Sequence, residues 1–146
     1  MAKGNATCND IIKFLAHGTA LPSYGANWEL HLHTADPGDG GTGATNECAY
    51  TGYTPVTVAR DSGGWAICDA DGTPNANGRA FKNVAEISFP ECTGVSDDEL
   101  VTHVSITDVT NDQIIYKGAL PGGLSIRVTY LHTPALPAGT AIFKER

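Results

Sequence analysis

The feature that most constrains this chain is a period of two that begins at Asn27. Trp28, Leu30 and Leu32 alternate with Glu29, His31 and His33, the pattern of a strand with one apolar face. Residues 36–46, DPGDGGTGATN, have neither apolar anchors nor periodicity and read as a long exposed loop. Val56 and Val58 then alternate with Thr57 and Ala59. Residues 30–60 are thus one strand, one polar glycine loop and a second strand.

The same grammar runs to the end. A tight turn at 61–64 leads into Trp65 and Ile67, and residues 69–78 (DADGTPNANG) form a second polar loop. Short strands are expected at 79–84 and 86–89, the latter ended by Pro90. An acidic turn at 92–99 follows. Val101, Val104 and Ile106, then residues 114–117, predict a strand pair around a five-residue connection at 108–112. Residues 124–132 (LSIRVTYLH) are the longest unbroken β-like run, and residues 140–144 close the chain. About eight short strands without alternating helices predict an all-β fold, an antiparallel two-layer β-sandwich. A jelly-roll-like topology is the first expectation and an immunoglobulin-like one the second.

One helix is expected, at the front. Thr7 or Asn9 would cap it, it would run to about His17, and Gly18 would stop it. Ile11, Ile12, Phe14 and Leu15 gather on one side. That face either packs on its own domain or meets another subunit, and the sequence leaves both open. The expected organisation is residues 1–26 as a helix or arm and residues 27–146 as the sandwich.

At 146 residues the chain suffices for one domain, burying roughly 70% of the surface of its unfolded form. The net charge of −7 and scattered Lys and Arg argue against a nucleic-acid surface, which needs a concentrated cationic footprint. No run approaches the ~20 apolar residues of a membrane span. The first residues make a poor secretory signal, so synthesis in the cytoplasm is expected. Cys8, Cys48, Cys68 and Cys92 show no C-x-x-C spacing, and free thiols are expected.

Chemistry is sparse. His31 and His33 share one strand face, and such a pair clips a metal if Asp36 or a distant histidine supplies a third ligand. The plainer reading hydrogen-bonds one imidazole, His33, to a loop backbone and leaves the other solvated. Asp36 and Asp39 resemble half a calcium loop without its closing acid; the plainer reading has them keeping the loop tip wet. No metal or cofactor is expected. Nucleophile-elbow, phosphate-loop and H-E-x-x-H motifs are absent, and the pairs Asp69/Asp71 and Asp97/Asp98 sit in turns where carboxylates are usually solvated, so the expectation is a protein that is not an enzyme. Tyr24, Trp28, Tyr50, Tyr53, Trp65 and Tyr130 could build a sugar platform, but their strand positions favour core or subunit-interface packing. The residues singled out for interaction are Ile11, Ile12, Phe14, Leu15, Tyr50 and Tyr53.

Several segments carry a resemblance: LHTADPG at 32–38, TNECAYTGY at 45–53, the Val/Ala strand at 56–60, GGW at 63–65, VAEISFPECTG at 84–94, VTHVSITD at 101–108 and IYKGAL at 115–120. Together they resemble a family of small tailed-bacteriophage virion structural proteins, over most of the chain from about Trp28. The resemblance implies a virion location and a non-enzymatic structural role. The first expectation within it is a capsid decoration, or cement, protein that stabilises the head. The rival is a tail-fibre or baseplate attachment protein acting in host adsorption, and a secreted carbohydrate-binding module is a weaker third. The partners it implies are the major capsid protein or other virion proteins, with the chain as a trimer or dimer and no nucleic acid or membrane among its partners. Tyr50 and Tyr53, in the family-like A-Y-T-G-Y element, are expected to seat the long loop.

Overall fold

The computed structural model describes residues 2–111, 113–120 and 123–144. In chain order the elements are β1 (Ala2–Lys3), α1 (Asn5–His17), β2 (Asn27–His33), β3 (Val56–Ala59), β4 (Trp65–Cys68), β5 (Ala80–Asn83), β6 (Ile87–Ser88), β7 (Asp98–Val101), β8 (His103–Asp108), β9 (Gln113–Ala119), β10 (Ile126–Thr129), β11 (Ala135–Leu136) and β12 (Ile142–Lys144). Five of them make one antiparallel sheet in the order β1-β9-β8-β2-β3. The opposing layer is three small antiparallel sheets, β12-β5-β4, β10-β7 and β11-β6. The fold is an all-β sandwich with one short helix. Among the described residues no helix is long and apolar enough to cross a membrane.

Alternation explains which face of the large sheet meets the second layer. Trp28 and Leu30 on β2 stand beside Asp108 and Ile106 on β8, and Leu32 beside Val104, so one face carries an apolar band. Aromatic rings seal it: Phe81 of β5 lies 5.7 Å from Trp28, 5.3 Å from Tyr116 and 5.2 Å from Phe143 between ring centroids. Tilted, edge-on and stacked pairs of this kind add ~0.5–1.5 kcal/mol each beyond the area they bury. The indole N–H groups of Trp28 and Trp65 find no acceptor among the described residues, the polar cost of an aromatic cluster that spans both layers. Between Ile106 and Thr107 the β8–β9 register shifts by a bulge.

The helix differs from expectation at its start and agrees at its end. It begins at Asn5 behind Gly4, with no side-chain cap. Thr7 is not the cap; it lies inside the first turn, where its hydroxyl donates to the Ile114 carbonyl at 2.9 Å. Gly4 is pressed so closely on β9 that a Cβ there would stand 2.4 Å from the Ile114 oxygen, which rules out Ser, Thr or Asp at the position where a cap belongs. Gly18 ends the helix in the left-handed region, φ 65°, as expected. Residues 2–17, within the stretch expected as an arm, are stitched to the sheet: Ala2 and Lys3 pair with Lys117 and Tyr116.

Other boundaries also move. The 124–132 run is a strand only over Ile126–Thr129, because Leu131 takes φ 61° and reverses the chain so that its N–H meets the Cys92 carbonyl. The short strand expected at 86–89 shrinks to two residues, Ile87–Ser88. Asp112 of the expected 108–112 connection, Met1 of the arm and Glu145 and Arg146 of the sandwich lie outside the described residues.

Candidate functional site: a buried polar sheet face beneath the glycine loop

The large sheet's second face is polar. Since side chains repeat every two residues, His31 and His33 of β2 stand opposite Ser105 and His103 of β8, with Thr107 alongside and Lys117 on β9. A polar sheet face normally points to water. Here the loop between β2 and β3 folds back across it, and His33, Ser105, Thr107, Lys117 and His31 are all buried.

His33 Nδ1 donates to the Thr45 carbonyl at 2.8 Å, so its Nε2 accepts from the Ser105 hydroxyl, also at 2.8 Å. Burial, opposed in part by the Thr45 carbonyl, lowers the His33 pKa to about 4, and the ring is neutral at physiological pH. His31 Nδ1 faces Glu47 Oε1 at 2.6 Å and its Nε2 faces the Thr107 hydroxyl at 3.0 Å. The expectation that one imidazole is solvated fails for His31, because Gly43 of the loop lies on its ring; a Cβ at Gly43 would approach His31 Cε1 to 2.6 Å.

The 45–53 element ties the loop to β2 and to the segments beside it. The Asn46 carbonyl accepts from Thr34 N–H at 2.9 Å, and Cys48 N–H donates to the Leu32 carbonyl at 2.9 Å. Glu47 Oε1 also accepts from the Tyr53 hydroxyl at 3.0 Å, and that hydroxyl accepts from Leu32 N–H at 2.9 Å. Tyr50 donates to the Pro90 carbonyl at 2.9 Å. Carboxylates cap the loop's end, Glu99 receiving Ala49 and Tyr50 N–H and Asp97 receiving Thr51 N–H at 2.6 Å. The Thr51 N–H bond holds the Asp97 carboxyl below its ordinary range, and Asp98 is clasped by Arg127. Asp98 stays exposed, as expected of a turn carboxylate, while Asp97 is half-buried.

Lys117 forms a second cluster. Its ammonium contacts Asp36 Oδ1 at 2.8 Å and Asp39 Oδ1 at 3.0 Å. Burial alone would lower the Lys117 pKa, but the hydrogen bonds to the two aspartates outweigh it and raise it. The four metal candidates are therefore split: His31 and His33 spend both ring nitrogens on loop and β8 partners, while Asp36 and Asp39 neutralise Lys117. Among the described residues no group of three or more His, Cys, Asp or Glu is placed to hold a metal.

Glu47–His31–Thr107 has the order of a carboxylate–imidazole–hydroxyl relay. Thr107 and Ser105 are 3% and 0% exposed, so these hydroxyls meet no solvent and the relays orient the loop. Tyr50 and Tyr53, expected as interaction residues, point inward: Tyr50 is buried, and the two rings stack edge-on at 5.2 Å. They seat the loop, the role expected of the A-Y-T-G-Y element. Ile12, Phe14 and Leu15 point outward, 60%, 48% and 75% exposed, and Ile11 is half-buried. The four cysteines are free thiols. Burial pushes Cys48 up to about 12, which leaves it protonated and unreactive.

Sequence reading missed Ser105, Thr107, Glu47 and Lys117. A signal existed for the first two, since in VTHVSITD the polar residues fall on alternate positions opposite the histidines. Glu47 and Lys117 carried none, because their partners lie 16 and 81 residues away.

The family model described as podophage GP4 fiber I protein gp80 matches residues 2–126. A comparison with curated proteins finds no match. The matched span contains the whole histidine face, the glycine loop, the 45–53 clasp and the N-terminal helix. The chain belongs to the podophage GP4 fiber I protein gp80 family and is a fibre-like structural protein of tailed-phage virions.

Proposed function

We propose that this chain is a non-enzymatic tail-fibre or attachment component that joins other virion proteins, and further copies of itself, through the apolar face of α1. The observation that carries this reading is the exposure of Ile12, Phe14 and Leu15 on a helix whose first turn is locked to β9 by Thr7. Apolar side chains of this size contribute ~1.5–3 kcal/mol each when covered, and a rigidly held stripe of them is a surface ready to be covered. The family's description as a fibre protein favours the tail over the head, so attachment replaces cement as the first reading. A dimer or trimer is the assembly we favour.

Imaging of intact particles tests the location: a few to tens of copies at the tail is the expected result, and hundreds of copies on the head would restore the cement reading. Phage carrying Ile12→Asp with Leu15→Asp should keep filled, heat-stable heads but lose appendages or adsorb poorly. These surface changes suit the test better than removing residues 1–17, which also strips β1 from the sheet edge. Full occupancy and normal adsorption with the double variant would refute the role of the helix.

A further inference from the structure

β3 is the outer strand of the large sheet, and its backbone hydrogen bonding is half used. In an antiparallel pair, alternate residues turn both backbone groups toward the partner strand. Arg60 N–H donates to the Ala26 carbonyl at 2.9 Å, and with Val58 opposite Trp28 and Val56 opposite Leu30 this assigns Val56, Val58 and Arg60 to the β2 side. Thr57, with its N–H and C=O, and the Ala59 N–H therefore point away from the sheet.

A groove of about 580 Å³ runs along this edge, lined by Val56, Val58, Gly64, Ile87 and Ser88 among others. Its far wall is a second unpaired edge. Phe89 N–H donates to the Pro134 carbonyl at 2.8 Å, and Ser88 stands opposite Ala135, so Ile87 and Phe89 face β11 while the backbone of Ser88 faces the groove. Proteins usually blunt such edges with Lys, Pro or a covering segment; Val-Thr-Val-Ala has neither residue, and the groove is open.

Its charges select an occupant. The charged residues lining the groove are Asp61 and Glu86; Arg60 is turned aside, donating to the Gly25 and Tyr24 carbonyls. A second copy presenting its own β3 edge would bring two more carboxylates and its own wall, in a chain of net charge −7. We infer that the β3–β6 groove takes a short extended segment of a different polypeptide, an uncharged β-forming core flanked by Lys or Arg, as an added antiparallel or parallel strand. The backbone of Thr57 and Ala59 supplies the ladder, and Asp61 and Glu86 supply the charge preference.

The test uses the full chain and two labelled peptides, acetyl-KTVTVTK-amide and acetyl-ETVTVTE-amide, followed by fluorescence anisotropy. The basic peptide should bind saturably, and the acidic one about ten-fold or more weaker. Amide exchange at Thr57 and Ala59 should slow on binding. Thr57→Pro removes one outward donor without touching the β2 ladder and should weaken binding about ten-fold at unchanged melting temperature. Asp61→Asn, which keeps the acceptor for the Gly63 and Gly64 N–H groups, with Glu86→Lys at an exposed position, should reverse the peptide preference, and it carries the test if the proline variant melts early. No saturable binding of the basic peptide, or a preference that ignores the charge reversal, would overturn the inference.

Discussion

Acidification should destabilise this protein well before its carboxylates titrate, through His33. An ordinary histidine titrates near 6.5, whereas His33, buried between β8 and the loop, does so at about 4. Between these values the unfolded chain binds a proton that the folded chain refuses, so stability falls as pH falls. The contribution is fully present above pH 6.5, declines through the window and is gone below pH 4. The gap corresponds to roughly 3 kcal/mol, of which about 2 is lost by pH 5. Urea denaturation at pH 7, 6, 5 and 4.5 reads this directly as a falling midpoint at constant slope. Asp36, Asp97 and Asp98, held low by Lys117, Thr51 N–H and Arg127, lose their contributions only as pH drops through and below the ordinary carboxylate range, and so do not account for a loss between pH 6.5 and 5. His33→Gln, which keeps a donor and an acceptor but cannot titrate in this range, should be less stable at pH 7 and flatter from pH 7 to 5. A wild-type profile flat over that window, or an equal slope in His33→Gln, would refute the argument.

Glu47→Ala leaves the His31 Nδ1–H and the Tyr53 hydroxyl without their acceptor and should cost about 3 kcal/mol, while Glu47→Gln, which keeps one acceptor oxygen, should cost less; equilibrium unfolding distinguishes them. Gly43→Val should displace the loop from His31, since even a Cβ there lies 2.6 Å from the ring, and faster amide exchange at Cys48, whose N–H is bonded to the Leu32 carbonyl, would report it. Reducing agent should leave the melting temperature unchanged, because all four cysteines are free; a structural disulfide would contribute ~2–4 kcal/mol and a clear drop.

Local pattern was enough to read much of the fold. Alternation in Asn27–His33 sends Leu30 and Leu32 to one face and both histidines to the other, because a pleated strand allows nothing else. Gly18 marks a helix end because a left-handed residue there is cheapest without a Cβ. The strand–loop–strand segment and the 45–53 element also carried the family resemblance, which the match over residues 2–126 extends through the N-terminal helix. The tertiary structure alone decided whether the histidine face meets water. That depends on a polar loop folding back through Thr45, Glu47 and Gly43, and composition marks such a loop as exposed whether or not it is pinned. It alone decided that the helix starts at Asn5 behind Gly4, where contact with Ile114 excludes a side-chain cap, and that the 124–132 run breaks at Leu131, whose N–H is claimed by the Cys92 carbonyl in a distant segment. Period and propensity are properties of neighbours in the chain, whereas burial of a polar face, a lysine between two aspartates or a strand edge left unpaired are properties of contacts that only the folded chain brings together.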